Sequence, residues 1–393
     1  MYNGNATQTA TITIDNMQKG ETKLSNVQKD IAVYELPAEG LVSSPNQQLE
    51  IAIGTSKTLI TIPYIAVGDD VTSVPDNSDL IILKGATYTA NGKQLRNVTI
   101  YGGGKLIVDK DNTLTTNTLT LRIGGVIDGN YDFVYPEFIL NGTWVNTTDI
   151  IHLDYLTTKE QYYTFVAPFE IHTKDIHYPI DIYGNNVTAE NRGSFEFQYY
   201  DGAARATGAT GWKVVEEDAT NGATLCAGQG YTFLGMPKKV NGTRQTFGIH
   251  RIPMKVSADE AMKHESEQQS VPLSVHLTDK NNYSGWNLIG NPYMATITGL
   301  TNEDIQVGKL VHTYDANGNW TGGWHWDEET IQENQRFLVI PSNDGLSYEA
   351  VQTSNAQLPA FKNFFVQISN KEANALLIPN ETRIKPSLAP SRR

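Results

Sequence analysis

The chain of 393 residues is long enough for about two to four domains of ordinary size. Its charged fraction of 19% is low for a globular protein, and Thr, Asn, Gly and Tyr take up the difference, a composition that favours strands and tight turns. The formal net charge of −13, without a long basic run, argues against nucleic acid or an anionic membrane surface as a partner.

The single cysteine, Cys226, allows no internal disulfide. Its apolar neighbours predict a small buried hydrophobe rather than a nucleophile. No apolar run approaches the roughly 20 residues that a membrane helix needs, so we expect no membrane insertion by this chain. The first residues lack the layout of a signal peptide, and an exported protein would therefore be represented here by a mature or excised piece.

The first segment, residues 1–75, contains strand-like runs at 10–14, 31–36, 49–53 and 58–65. These runs predict either an incomplete β-sandwich or an irregular lead-in to the next segment. Helical patterns are nearly absent from the chain. The stretch 257–268 is the clearest one, because Ser257 can cap a helix and Glu260 follows three residues later.

A weak internal repeat occupies residues 76–135. Residues 98–101 align with 119–122 at an offset of 21 residues, the glycine pair 103–104 aligns with 124–125, and Leu106 aligns with Ile127. The run 80–85 fits one step upstream. A step near 20 residues, with short strands and glycine corners, predicts the coils of a short parallel β-helix-like solenoid. An antiparallel meander with coincidental spacing is the alternative.

Residues 136–275 and 276–383 follow one plan twice. Each region begins with an apolar strand that runs into a proline, and each continues with a Tyr-Asp pair, a Gly-Trp pair and a glycine- or aromatic-rich strand. The order is shared while the spacing differs, as in related domains with variable loops. We therefore predict an all-β fold in which the solenoid is followed by two related antiparallel β-sandwich, jelly-roll-like domains and a linker-like tail at 384–393. The strand residues predicted to face a core are Tyr163, Phe165, Trp286 and Leu288.

Several words of the sequence occur together in a known group of proteins. These words are YDGAARA (200–206), LCAGQGYTF (225–233), GWNLIGNPY (285–293) and AFKNFFVQI (360–368), with YYTFVAPFEI (162–171) before them. In this order they resemble multi-domain surface and secreted proteins of Bacteroidetes-type bacteria, in which a short β-helix often precedes such sandwich domains. The resemblance covers roughly residues 76–390. It implies export and display at the extracellular or outer-membrane surface of a bacterium, and it implies no particular activity.

Three tryptophans form the best candidate binding site: Trp320, Trp324 and Trp326. On a strand, Trp324 and Trp326 share one face. Flat aromatic rings beside carboxylates suit a sugar platform, and the acids that follow are Asp327, Glu328 and Glu329. The sequence favours the interpretation that one or two of these tryptophans fill the sandwich core, and a glycan platform is the alternative.

The candidate metal ligands are weak. Asp315 opens a stretch that is similar to a calcium loop, but Gly318 stands in the wrong position and Trp326 occupies the place of the bidentate Glu. An Asn-Gly turn accounts better for this stretch. Asp109 and Asp111 are predicted to lie in a turn between coils. We therefore expect no cofactor, with calcium at these aspartates as a minor alternative.

No zinc-binding histidine pattern, Gly-x-Ser-x-Gly elbow or phosphate-binding loop occurs in the sequence. A β-helix can carry a polysaccharide lyase or glycosidase, for which the carboxylates of 76–135 would be Asp79, Asp109, Asp111, Asp128 and Asp132. We favour a non-catalytic segment of a bacterial surface or secreted protein with an adhesion or scaffolding role. The alternatives are a carbohydrate-binding module of a glycan-utilisation system and a glycan-active β-helix enzyme. The expected partner is an extracellular glycan, or a host or bacterial surface protein.

Overall fold

The computed structural model describes most of the chain from residue 8 to residue 383. The described ranges are 8–14, 17–24, 48–53, 56–61, 64–66, 74–127, 130–132, 134–157, 161–176, 194–218, 222–236, 239–240, 243–244, 248–279, 282–298, 300, 304–333, 337–342 and 347–383. Strands dominate these residues and the two α-helices among them are short, so the predicted all-β class is confirmed. The predicted strand at 31–36 and the tail at 384–393 lie outside the described residues.

The first four strands form an antiparallel sheet. They are β1 (Gln8–Ile14), β2 (Met17–Leu24), β3 (Gln48–Ile53) and β4 (Ser56–Thr61), in the spatial order β2-β1-β3-β4. The predicted runs at 10–14 and 49–53 fall within β1 and β3, while the run at 58–65 is divided between β4 and the strand that follows it.

The next eleven strands build two parallel sheets and one small hairpin. They are β5 (Tyr64–Ala66), β6 (Leu80–Ile82), β7 (Thr87–Thr89), β8 (Lys93–Tyr101), β9 (Lys105–Val108), β10 (Thr113–Ile123), β11 (Gly125–Ile127), β12 (Asn130–Asp132), β13 (Glu137–Leu140), β14 (Thr143–Asn146) and β15 (Ile150–Thr157). One parallel sheet has the order β5-β6-β8-β10-β15, with β14 also paired to β10, and the other has the order β7-β9-β13.

The strand register follows the sequence repeat over its first steps. Val98 pairs with Leu119 at the offset of 21 residues, and Leu80 pairs with Val98 at a shorter offset. All three side chains are buried, so each coil covers the apolar face of its neighbour. Two details differ from expectation. Leu106 pairs with Phe138 instead of Ile127, because the hairpin β11–β12 lengthens that step, and the parallel pairing continues beyond residue 135 as far as β15.

The region after β15 contains nine strands and both α-helices of the described residues. The strands are β16 (Tyr163–Phe165), β17 (Ile171–His172), β18 (Ser194–Tyr200), β19 (Trp212–Val214), β20 (Thr224–Leu225), β21 (Tyr231–Met236), β22 (Lys239–Val240), β23 (Thr243–Arg244) and β24 (Gly248–Lys255), and the helices are α1 (Gly202–Ala206) and α2 (Ala258–Ser266). An antiparallel sheet has the order β16-β21-β18-β19, while β24 pairs antiparallel with β15 and ends the parallel sheet.

The two helices differ in how far the sequence predicts them. Helix α2 begins at the predicted cap, where the Ser257 hydroxyl accepts a hydrogen bond from the Glu260 backbone and the Glu260 carboxylate accepts one from the Ser257 backbone. Helix α1 has five residues and was not predicted. The Asp201 carboxylate caps it by accepting from the backbone N–H groups of Ala203 and Ala204. Neither helix is long or apolar enough to cross a membrane.

The last eight strands form two antiparallel sheets that share a core. They are β25 (Gln269–Pro272), β26 (Trp286–Gly290), β27 (Gln306–Tyr314), β28 (Trp320–Glu333), β29 (Phe337–Pro341), β30 (Tyr348–Gln352), β31 (Asn363–Gln367) and β32 (Ala375–Ile378). Their orders are β25-β32-β27-β28 and β26-β31-β29-β30. Val307 and Leu376 of the first sheet pack in one apolar cluster with Ile289 and Phe364 of the second. Short 3-10 helices lie at Thr173–Asp175, Thr353–Asn355 and Asn380–Arg383.

The two regions with similar sequence words use the same strand pairing. In the first, β16 runs into Pro168 and pairs antiparallel with β21; in the second, β26 runs towards Pro292 and pairs antiparallel with β31. The regions also touch, since the backbone N–H of Gly290 donates a 2.8 Å hydrogen bond to the carbonyl of Gly228.

Most predicted core positions of these strands are buried. Tyr163, Phe165 and Leu288 are buried as predicted, but Trp286 is half-buried, so the core prediction is wrong for its ring. The prediction of a buried Cys226 is also wrong, because Leu225 takes the inward position and the next side chain is exposed.

Candidate functional site

The predicted tryptophan segment lies on a long antiparallel hairpin formed by β27 and β28. The turn between the strands is held by Asp315, whose carboxylate accepts hydrogen bonds from the backbone N–H groups of Asn319 at 2.9 Å and Asn317 at 2.8 Å. These bonds, that of Asn319 first, lower the pKa of the Asp315 carboxyl. Gly318 adopts a φ of +83° in the same turn. The calcium candidate Asp315 thus serves the predicted Asn-Gly turn.

The register of this hairpin places several aromatic residues on one face. Tyr314 pairs with Trp320, His312 pairs with Trp324, and Leu310 pairs with Trp326. Directly paired residues of an antiparallel ladder project to the same side, and alternate residues of each strand do so too. We call the four residues nearest the turn the aromatic face: His312, Tyr314, Trp320 and Trp324.

The aromatic face is open to solvent. The exposed fraction is 59% for Tyr314, 53% for Trp320 and 51% for Trp324. The favoured core-packing interpretation is therefore wrong for Trp320 and Trp324. Trp326, which pairs further from the turn, is half-buried, and its ring lies beside Gly308. Large aromatic side chains that touch each other on a surface are the kind of patch that marks an interaction site.

The rings of the aromatic face hold each other in place. The imidazole of His312 lies between the two indoles, with ring centroids 3.8 Å from Trp324 and 4.9 Å from Trp320. The indoles themselves are 6.3 Å apart at an angle of 74°. The Trp320 indole N–H also donates a 3.1 Å hydrogen bond to the Gly323 carbonyl. Rings fixed in this way lose little further side-chain entropy when a ligand packs on them.

The predicted acids do not join the tryptophans as a group. Asp327 pairs with Lys309 and follows Trp326 directly, so strand alternation places it on the opposite side of the ladder from the aromatic face. The register breaks between Asp327 and Gln332, and Glu328 and Glu329 lie in that interrupted stretch. The hydrogen-bonding groups next to the rings come instead from His312 and Tyr314, which the sequence prediction missed. The signal for them was the alternation of 310–314 just before the Asn-Gly turn.

The other aspartate candidates act as structural groups between coils. Asp109 accepts a 2.8 Å hydrogen bond from the side-chain amide of Asn91, one coil upstream. Asp111 adopts a φ of +66° in the turn that follows. The Asp79 carboxylate accepts hydrogen bonds from Arg96 and Asn97. No group of three or more metal-ligating His, Cys, Asp or Glu side chains occurs within the part of the chain that the structure describes.

Comparison with known proteins adds no relative. The sequence has no significant match among protein-family models, curated proteins or solved structures. The resemblance to Bacteroidetes-type surface proteins therefore stays a prediction from the sequence words, and the functional argument depends on the geometry of the site.

Proposed function

We propose that this chain is a non-catalytic, carbohydrate-binding segment of a bacterial surface or secreted protein, built as a short β-solenoid followed by two β-sandwiches. The observation that carries the proposal is the exposure of Trp320 and Trp324 on a ridge of mutually packed rings. The indole faces supply the flat apolar surface on which the C–H faces of a sugar stack, and His312 and Tyr314 supply polar atoms for hydroxyl groups.

The physical balance favours a ligand for this surface. Each exposed indole leaves a large apolar area in water, and its burial against a ligand contributes at about 25 cal/mol per Å². The hairpin also keeps the rings rigid, so little binding energy is lost in ordering them. A shallow open ridge suits an extended glycan chain, which can run past the hairpin in either direction.

The test is a comparison of glycan-array binding between the wild type and the double variant W320A/W324A. Phe337→Ala is the matched control, because Phe337 is an exposed aromatic residue (49%) of the neighbouring sheet. We expect the double variant to lose glycan binding and F337A to retain it, with both variants as stable as the wild type in urea. Absence of glycan binding by the wild type, or full binding by a folded double variant, would overturn the proposal.

Adhesion to a surface protein is the second candidate function. One observation favours it: β28 is the outermost strand of its sheet and the longest strand of the described residues, at 14 residues. An open strand edge can pair with a strand of another protein. Insertion of a proline in place of Gln332, which lies past the tryptophans on β28, tests this candidate. Loss of surface adhesion with unchanged glycan binding would support it.

A further inference from the structure

A second aromatic cluster surrounds a cleft between the two similar regions of the chain. The cleft has a volume of about 540 Å³, within the usual size of small-ligand sites. It shares no residue with the aromatic face. The lining residues used in the argument below are Tyr200, Arg205, Trp212, Trp286, Tyr348 and Phe365.

Phe365 forms the base of this cleft. Its buried ring lies 4.8 Å from the ring of Tyr200 and 6.1 Å from Trp212, both at interplanar angles of 79°. Trp286 and Tyr348 surround the same ring at 6.4 Å and 5.9 Å, with angles of 81° and 62°. Four aromatic rings therefore stand roughly upright around one buried ring, and Tyr348 is half exposed.

Separate segments of the chain build the cleft through close backbone approaches. A Cβ atom at Gly202 would lie only 2.7 Å from the Trp286 carbonyl, and a Cβ atom at Gly211 would lie 2.5 Å from the Tyr200 ring. Glycine at these positions lets the 200–212 segment lie directly against β26. The recognisable words around residues 200, 285 and 360 thus meet at this one place. Sandwich packing alone does not require the open rings that they contribute.

Arg205 is the charged residue that lines the cleft. It is half-buried at the end of helix α1, and its guanidinium carbon lies 4.5 Å from the centroid of the Tyr283 ring, which orients it. No described carboxylate lies within ion-pair distance of Arg205, whereas the neighbouring Lys213 is paired with Asp201. A guanidinium presents five donors in a planar fork that fits a carboxylate in two-point contact.

We propose that this cleft binds a carboxylate-bearing sugar, a uronic acid unit of an acidic polysaccharide. The pyranose ring lies between Trp212, Trp286 and Tyr348, and the carboxylate is held by Arg205. This assignment accounts for both halves of the site. A neutral sugar leaves the guanidinium without an anionic partner, and a small anion leaves the aromatic walls unused. It also goes beyond the function proposed for the hairpin, because the site and the ligand charge are different.

The experiment is isothermal titration of the whole chain with three tetrasaccharides that differ in their uronic acid: tetragalacturonate, tetramannuronate and the glucuronate-containing hyaluronan unit. Fully methyl-esterified tetragalacturonate is the uncharged control. We expect at least one acidic tetrasaccharide to bind and the ester to bind at least about tenfold more weakly than its acid, since hydrogen bonds to charged groups are the stronger ones.

Variants assign the binding to the cleft. R205Q and W212A should each weaken binding by about tenfold or more, and R205K should fall between R205Q and the wild type because it keeps the charge without the fork. W320A/W324A should leave this binding unchanged, and R205Q and R205K should leave the hairpin's array binding unchanged, so the two sites fail or succeed separately.

Four outcomes would overturn the proposal: no binding by any of the three acids, equal binding of the methyl ester, full binding by folded R205K, R205Q and W212A, or binding of a short peptide carboxylate in preference to every sugar.

Discussion

The side-chain amide of Asn363 donates a 2.7 Å hydrogen bond to the backbone carbonyl of Tyr231, 132 residues earlier in the chain. The same amide lies 3.5 Å from the carbonyl of Phe165. Asn363 opens β31, while Tyr231 and Phe165 face each other across β21 and β16. One buried amide thus joins the paired strands of the first similar region to the equivalent strand of the second.

We predict that Asn363→Asp destabilises the protein by about 3 kcal/mol or more, because it removes the donor and places a charge beside two carbonyl oxygens in a buried site. Asn374→Asp is the control, since that exposed amide donates a 2.9 Å hydrogen bond to the Leu310 carbonyl and its loss should cost about 1 kcal/mol or less. Urea unfolding measures both. Equal losses for the two variants would show that burial of Asn363 is unimportant.

Asp154 gives a second prediction about buried charge. Its carboxylate is fully buried in the parallel sheet, accepts two hydrogen bonds from Arg251 at 2.7 and 2.9 Å, and contacts Arg122 at 3.2 Å. Asp154→Asn leaves two partly buried guanidinium groups without a counter-charge, so we expect a loss of about 3 kcal/mol in the free energy of unfolding.

The matched control for this change is Asp79→Asn. Asp79 also binds an arginine, Arg96, but both partners are partly exposed, and the loss should be about 1 kcal/mol or less. Chemical denaturation of the three proteins at neutral pH separates the two cases. A D154N protein as stable as D79N would mean that the sheet relaxes and hydrates the arginines.

His250 makes stability depend on pH. Burial lowers its pKa to about 3, and its ring packs edge-on against Phe233 at 5.2 Å. In the unfolded chain this histidine takes up a proton below about pH 6.5, whereas the folded protein does not do so until near pH 3. The unfolded state therefore binds more protons in this window, and stability falls as the pH falls, by up to about 1.4 kcal/mol per pH unit.

The measurement is the urea midpoint of the wild type, H250Q and H276Q between pH 7 and pH 5. H250Q removes this source of slope, so its stability should decline less steeply with acid than that of the wild type. H276Q removes an exposed histidine and should keep the wild-type slope, because His250 is intact. A wild-type slope that survives in H250Q would assign the acid sensitivity to other groups.

The sequence predicted the regular parts of the fold better than the faces of its strands. The pairing of Val98 with Leu119 could be predicted because stacked coils repeat the same inward positions. The pairing of Leu106 could not, since the inserted hairpin at 125–132 changes one step without breaking the apolar pattern. Likewise, two tryptophans on one strand share a face, but periodicity does not tell which face meets a second sheet.

The binding residues show the same limit. Asp327 adjoins Trp326 in sequence, yet alternation sends neighbours to opposite sides of the ladder, so sequence proximity misled the prediction of a mixed acid and aromatic site. The cleft around Phe365 was beyond prediction for a different reason. Its walls come from segments near residues 200, 212, 286, 348 and 365, and only the packing of the two similar regions brings them together.

A final prediction concerns two glycines that share a backbone conformation and differ in surroundings. Gly285 has a φ of +77° and Gly318 a φ of +83°, so alanine is strained at both, at about 1–2 kcal/mol. At Gly318 nothing lies near the position of a Cβ atom, whereas at Gly285 a Cβ atom would overlap the carbonyl of Ile368. That carbonyl belongs to backbone already tied to Gly285, since the Ile368 N–H donates a 2.8 Å hydrogen bond to the Gly285 carbonyl. We therefore expect Gly285→Ala to cost about 3 kcal/mol or more and Gly318→Ala only the strain of its φ angle, because the overlap at Gly285 has to push apart two bonded segments. Thermal and urea unfolding of both variants give the difference, which isolates the steric contribution. Equal losses would mean that the 285–368 contact yields without cost, and the Trp286 wall of the cleft would then be less firmly held than its packing indicates.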